Sequence, residues 1–375
     1  MMSNKARTIR VAAIQMESKN GPIEANLEHA TLLVNRAVEK GAKLILLPEF
    51  MTTGYIFSKV IWGNGEPKEG STVKWLRESS KRLGVWLGTS FLEAEGEDFF
   101  NTFVLVNPDG SEAGRVRKQT PASIEAYFFK GGTGPHSIET ELGKVGVGIC
   151  YENQLSYIPQ MMQKQSVDII LMPHSAPTPM QRFLFGRKQV DLYNNEIREV
   201  ARRNARLVGV PVVMVNKCGS WQSSMPFPWG LSGEQKSSFP GLSAIVDSDG
   251  TVKAQLGREE ETIVEDVTLD PSRKIHEPPK CYGRWAFEGP WARNIFQVIE
   301  ATGRLSYSFS SERKKRHERF HRPIYYDRIK NGDTVFSMAR SHSGEKVEAQ
   351  VHPCSVEVDP TRPASDSMPG IQALC

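Results

Sequence analysis

The chain has 375 residues, 39% of them hydrophobic and 24% charged, with a formal net charge of +4. That length buries a large core in one big domain or two smaller ones, and so small a charge excess fits a mixed, solvated surface better than a nucleic-acid partner. No apolar run approaches the roughly 18 residues of a membrane span, the basic N-terminal stretch lacks a secretory apolar core, and five widely spaced cysteines (Cys150, Cys218, Cys281, Cys354, Cys375) build neither a disulfide framework nor a paired zinc motif, so a cytoplasmic setting is expected.

In chain order, strand-like and helix-like segments alternate. "TIRVAAIQM" reads as a strand, and residues 24–40 place Leu27, Ala30, Leu33 or Val34, and Ala37 at helical spacing. "KLILLP" is a short, fully apolar strand with Glu49 just beyond it. Residues 70–83 read as a helix, and "VWLGTSFL" and "NTFVLVNPDGSEAGRVRKQ" follow, the second with a Pro-Asp-Gly hairpin turn. A second round opens at "KVGVGIC". It continues with a helix over 155–165, the strand "VDIILMP", a helix over 191–206 with Tyr193, Ile197, Val200 or Ala201, and Asn204 on one side, and the strand "LVGVPVVMVN". "FPGLSAIVDSDGTVKAQL" holds another hairpin with Asp-Gly at its turn. Helices interleaved with apolar strands specify an α/β protein built on two sheets or one large sheet. The halves echo one another, with Pro48-Glu49 closing one strand and Pro173-His174 another. The domain is expected over residues 1–300. Residues 301–375 are expected to be an extension: a basic run at 313–322, read as a solvated helix or subunit contact, then a loose or partly disordered arm.

Cys150 ends an apolar strand, so it is either a core thiol or a nucleophile shown at the strand's end. A free thiol is only a few per cent ionised at neutral pH, and attack therefore needs a base and a donor for the developing anion. Glu49 emerges from a buried strand. Lys118 sits in "GRVRKQTPASIEAYFF", with Glu125 seven residues on among aromatics that wall a pocket. Singly, each reads as well as a strand-end thiol, a loop acid or an exposed basic strand. Together, a thiol, two carboxylates and an ammonium suffice for acyl transfer. Glu49 would take the thiol proton, Lys118 and the Tyr151 backbone N–H would hold the intermediate, and Glu125 would orient Lys118 or the leaving nitrogen.

"RVAAIQM", "LLPEF", "GRVRKQTPASIEAYFFKGG" and "GVGICYEN", in this order, resemble the nitrilase superfamily of thiol-dependent carbon–nitrogen hydrolases over residues 10–270. The resemblance implies a four-layer α-β-β-α sandwich and subunits paired through helices. It also implies Glu49 as general base, Lys118 as intermediate stabiliser, Cys150 as nucleophile and Glu125 as positioning glutamate. "KQTPASIEAYF" and "CYEN" are similar to the nitrile-cleaving branch. Tyr151, however, stands where that branch carries tryptophan, as in amidases and carbamoylases, and Gln154 stands where many members carry arginine.

Tyr55 and Phe50 follow Glu49 and either wall the substrate site or pack behind it, and His174 either lines the pocket or caps its strand. "CGSWQSSMPFPWG" reads as a lid or a subunit contact. No metal-ligand spacing, phosphate loop, dinucleotide fingerprint or serine elbow is present, so no metal or cofactor is expected. The expected activity is hydrolysis of a small-molecule nitrile or amide through a covalent Cys150 intermediate, by a homo-oligomer with Tyr55, Tyr151 and His174 at the substrate. Acyl transfer to an amine, or binding without turnover on the same fold, are the alternatives.

Overall fold

Apolar residues on both sides of a strand require cover on both faces, and the computed structural model, which describes residues 5–179, 186–225, 233–289 and 294–320, supplies it in two similar rounds. The first round is β1 (Arg7–Gln15), α1 (Ile23–Glu39), β2 (Leu44–Leu46), α2 (Ser71–Leu83) and β3 (Trp86–Glu95), followed by β4 (Asp98–Val106) and β5 (Glu112–Arg117). The second opens with β6 (Ser137–Thr140) and then runs β7 (Gly143–Val147), α3 (Tyr157–Lys164), β8 (Ile169–Pro173), α4 (Arg187–Val208) and β9 (Val212–Val215). A hairpin of β10 (Ser220–Met225) and β11 (Gly233–Ser238) follows, then β12 (Ala244–Val246), β13 (Val252–Gln255), β14 (Glu261–Leu269), α5 (Ile295–Phe309) and α6 (Ser311–Phe320).

The strands form two six-stranded sheets, ordered β14-β1-β2-β3-β4-β5 and β13-β12-β9-β8-β7-β6. In each, three consecutive strands joined by helices run parallel: β1, β2 and β3 in one, β7, β8 and β9 in the other. The echo between the halves is therefore structural, and Glu49 and His174 lie just past the central parallel strands β2 and β8.

Alternation along the strands builds the layers. Val11, Ala13, Leu44, Leu46, Phe103 and Leu105 point into a core shared with Val145, Val147, Ile169 and Leu171 of the second sheet. Their neighbours Ala12, Ile14, Ile45, Val104 and Val106 face Leu27, Ala30, Val34 and Leu76 of α1 and α2. On the far side, Ile197, Val200, Ala201, Ala205 and Val208 of α4 cover the second sheet. The result is the four-layer α-β-β-α sandwich.

The helix expected over 155–165 begins differently. Residues Cys150–Gln154 form a 3-10 turn, and α3 starts only at Tyr157. The helix expected over 191–206 runs further in both directions, as α4. It stops at Gly209, whose φ of +74° closes the helix in a left-handed cap where a Cβ would strike the Arg273 carbonyl. The Asn107–Ser111 and Asp247–Thr251 segments form the two expected turns. Position 300 falls inside α5, and the basic run begins as α6; residues 321–375, with the expected arm, Cys354 and Cys375, lie outside the described residues.

Phe103 fills the space between the sheets, close enough to Gly88 that a Cβ there would lie 2.5 Å from its ring. Phe103→Ala is expected to cost about 3–5 kcal/mol, read as a lowered urea midpoint with an unchanged m-value.

Candidate active site

At one edge of the sandwich the parallel strands release their carboxyl ends, and the chemistry collects there. Glu49 follows β2, Lys118 follows β5, Cys150 follows β7 and His174 follows β8. All four side chains are at least 95% buried.

Lys118 is the centre of the polar cluster. Its Nζ donates to Glu49 Oε1 at 2.8 Å and to Glu125 Oε1 at 3.1 Å, and lies 2.8 Å from Glu125 Oε2 in the ion pair. Burial alone would strip its proton; the charges of Glu125 and Glu49 outweigh burial and hold the ammonium pKa well above its ordinary value. Glu125 sits on a 3-10 turn over Ser123–Tyr127, its Oε2 taking the Ala122 N–H at 2.8 Å and its Oε1 the Tyr55 hydroxyl at 2.6 Å. Burial, reinforced by the Glu49 charge, raises its carboxyl pKa against the pull of Lys118. Asn101 on β4 clamps the other end: its Nδ2 donates to Glu49 Oε1 at 2.6 Å and its carbonyl accepts the Lys118 N–H at 2.9 Å. Glu49 Oε2 is buried and accepts no hydrogen bond.

Cys150 opens its 3-10 turn at φ +56°, a left-handed conformation that a non-glycine residue holds only under strain. Phe50 (φ +48°) and Ser123 (φ +46°) share that conformation, so three of the five such non-glycine residues among those described flank or carry the cluster. Burial first, then the Glu49 carboxylate, push the thiol pKa well up. Lys118 and the Ser175 backbone N–H work in the opposite direction. The resting sulfur is therefore a neutral thiol, and its proton needs a base.

Glu152 locks the cysteine turn to the Lys118 segment. Its Oε1 accepts the Gln119 N–H at 2.7 Å, the Thr120 N–H at 3.1 Å and the Tyr157 hydroxyl at 2.5 Å, while Oε2 accepts the Ile149 N–H at 3.3 Å. Asn153 braces the same turn, donating to the Gly148 carbonyl at 2.8 Å and to His174 Nε2 at 3.0 Å.

A cavity of about 280 Å³ opens on Cys150, and Tyr55, Tyr151 and His174 all border it. Phe50 does not; it packs behind Tyr55 and against Phe129, with ring centroids 6.1 and 5.1 Å away. From the tryptophan-rich segment, Trp221 borders the cavity and donates to the Tyr55 carbonyl at 2.8 Å; residues 226–232 lie outside the described residues. Sequence reasoning passed over Asn101, Asn153, Glu152 and Lys217. The fully buried Lys217 Nζ donates to the Phe50 carbonyl at 2.8 Å, and burial lowers its amine to about 7. Asn216-Lys217 closes β9 as Pro48-Glu49 closes β2, which is the signal that marks it.

The His174 imidazole is pushed down to about 3, by burial and then by the Lys118 charge. The unfolded chain protonates it near 6.5, so between about pH 6.5 and 3 the unfolded state binds the extra proton and stability falls as pH drops. Thermal melts should show this acid loss, and His174→Gln should flatten the slope by up to about 1.4 kcal/mol per pH unit below pH ~6. An unchanged slope would mean the imidazole titrates normally.

Comparison with known proteins agrees with this architecture. The profile of the family "carbon-nitrogen hydrolase" matches residues 10–277. An N-carbamoylputrescine amidase from Solanum lycopersicum is 27% identical over 274 residues, covering 70% of this chain and 87% of its own. An omega-amidase from Xenopus tropicalis is 26% identical over 267 residues, covering 67% and 86%. The crystal structure of a carbon-nitrogen hydrolase from Helicobacter pylori shares the fold, with a TM-score of 0.62 at 20% identity over 70% of this chain and 90% of that one. The chain belongs to the carbon-nitrogen hydrolase family of the nitrilase superfamily, and it is an enzyme acting on a non-peptide carbon–nitrogen bond of a small molecule.

Proposed function

We propose that the protein hydrolyses a small-molecule amide through an acyl-enzyme on Cys150, with Glu49 as general base and acid, Lys118 as the cation at the oxyanion and Glu125 as the group that positions Lys118. The observation that carries this reading is the meeting of a strained, buried thiol with a carboxylate whose Oε2 lacks a partner and an ammonium held between two carboxylates.

The thiol proton passes to Glu49 Oε2 as sulfur attacks the carbonyl carbon. The carbonyl oxygen becomes an oxyanion, held by Lys118 Nζ and the Tyr151 backbone N–H. Glu49 returns the proton to nitrogen, and ammonia or an amine leaves. Water then gives a proton to Glu49 and attacks the thioester, and collapse releases the acid and restores the thiol. A nitrile would enter the same cycle as a thioimidate before water adds. Lys118 stays protonated throughout, because two carboxylates fix its charge.

Amidase relatives support an amide over a nitrile. Tyr55, Tyr151 and His174, which border the cavity, are proposed to contact substrate. The hydrolase domain is proposed to occupy residues 1–300, with 301–375 an extension whose first residues complete α5. No described helix is long and apolar enough to cross a membrane, and a cytoplasmic homo-oligomer is proposed; exposed Val298, Leu305 and Phe309, spaced to share one side of α5, support the latter.

Cys150→Ala should abolish ammonia release while leaving the melting profile folded, and intact-mass analysis of the native enzyme with a slow substrate should show an acyl adduct that the variant lacks. Lys118→Ala should lower kcat by at least about 100-fold. Ammonia release retained by Cys150→Ala, or a loss below about fivefold for Lys118→Ala, would remove these roles.

A further inference from the structure

Part of the cavity wall lies outside the region that matches the family. The family match ends at residue 277, yet Phe296 and Ile299 of α5 border the cavity that opens on Cys150. The helix is fixed there. The Phe296 ring meets Tyr151 edge-on at 5.9 Å, Thr302 Oγ1 lies 2.9 Å from the Tyr127 hydroxyl, and Glu300 accepts from Arg284 at 2.5 Å. Gly303 lets α5 press on the turn that carries Glu125: a Cβ there would lie 2.8 Å from the Tyr127 ring and 2.9 Å from Ala126. This wall therefore cannot shift without disturbing the Glu125 turn.

The rest of the lining has one chemical character. Among the described residues that border the cavity there is no Asp, Glu, Lys or Arg. Phe57, Ile197 and Trp221 supply apolar surface, and Gln154 is neutral. His174 is uncharged, with Nε2 already occupied by the Asn153 amide. A carboxylate or ammonium tail entering about 280 Å³ of such space would lose its hydration and meet no counter-charge among the described residues that line it.

We infer that the substrate is an amide whose acyl substituent is uncharged and apolar, and that Phe296 and Ile299 of α5 set how long that substituent can be. This rests on the hydrolase reading proposed above. The pocket selects by excluding charge, and the part of α5 that lies beyond the family match selects by length.

The test measures ammonia release by the full chain from pentanamide, glutaramate and 5-aminopentanamide, and from acetamide and 3-phenylpropanamide. Pentanamide should exceed both charged analogues by at least about 100-fold in kcat/KM. Ile299→Trp should lower the 3-phenylpropanamide to acetamide ratio of kcat/KM at least about tenfold, and Ile299→Ala should raise it; a ratio is compared because it is insensitive to partial loss of folded enzyme. Equal or faster turnover of glutaramate or 5-aminopentanamide overturns the inferred substrate class while the hydrolase reading stands. A ratio unmoved by both variants overturns the role of α5. Turnover of none of the five amides overturns the hydrolase reading, and this inference with it.

Discussion

The Lys118 ammonium shared between two buried carboxylates is the constraint around which the site is arranged. Removing an ion from water to a protein interior costs several kcal/mol even after relaxation, and a buried charge left alone is worse. Here one cation meets three carboxylate oxygens within 3.1 Å, and Asn101, Tyr55 and the Ala122 N–H satisfy much of what remains. The cluster still holds more carboxylate than ammonium. Burial first, and then the Glu49 charge, raise the thiol and Glu125, while the two carboxylates keep Lys118 protonated. Glu49 Oε2 is a buried carboxylate oxygen of this cluster without a donor.

Holding such a cluster requires a frame that does not yield. The fold provides it by anchoring Glu49 and Lys118 within a few residues of the ends of β2 and β5, in a sheet that is packed on the second sheet on one face and on helices on the other, and Glu125 on the turn that follows Lys118. Strain is placed in the same region: Phe50 beside Glu49, Ser123 at the start of the Glu125 turn, and Cys150 itself adopt left-handed backbone conformations. Each such residue costs on the order of 1–3 kcal/mol, which the packed sheets sustain. The left-handed turn swings the chain sharply at the end of its strand, and Glu152 and Asn153 then pin the loop to both sides of the site.

The α5 helix ties the C-terminal part of the chain to this frame. Tyr307 accepts the Phe99 N–H at 2.9 Å, Arg313 pairs with Asp98 at 2.9 Å, and Gly303 sits against the Glu125 turn. Gly303, with no side chain of its own, brings α5 directly against the Tyr127 ring and the Ala126 backbone and Cβ.

How much could be read in advance follows from what each property depends on. Strand and helix order, the two-round repeat and the approximate helix limits were legible because burial imposes periods of two and 3.6 on local sequence. Glu49 and Cys150 drew notice because each stands at the end of a short apolar strand, and Lys118 and Glu125 because they share one distinctive motif. Asn101 and Glu152 were not: an amide in mid-strand and an acid in a turn have no local mark of what they will bond to. Lys217 sat in plain view at a strand end, but its significance depends on a carbonyl from position 50. Which carboxylate oxygen lies without a donor, which walls surround the thiol, and that α5 borders the cavity were decided only in three dimensions. Those facts arise where segments from 52 to more than a hundred residues apart touch, and local patterning carries no information about such distances.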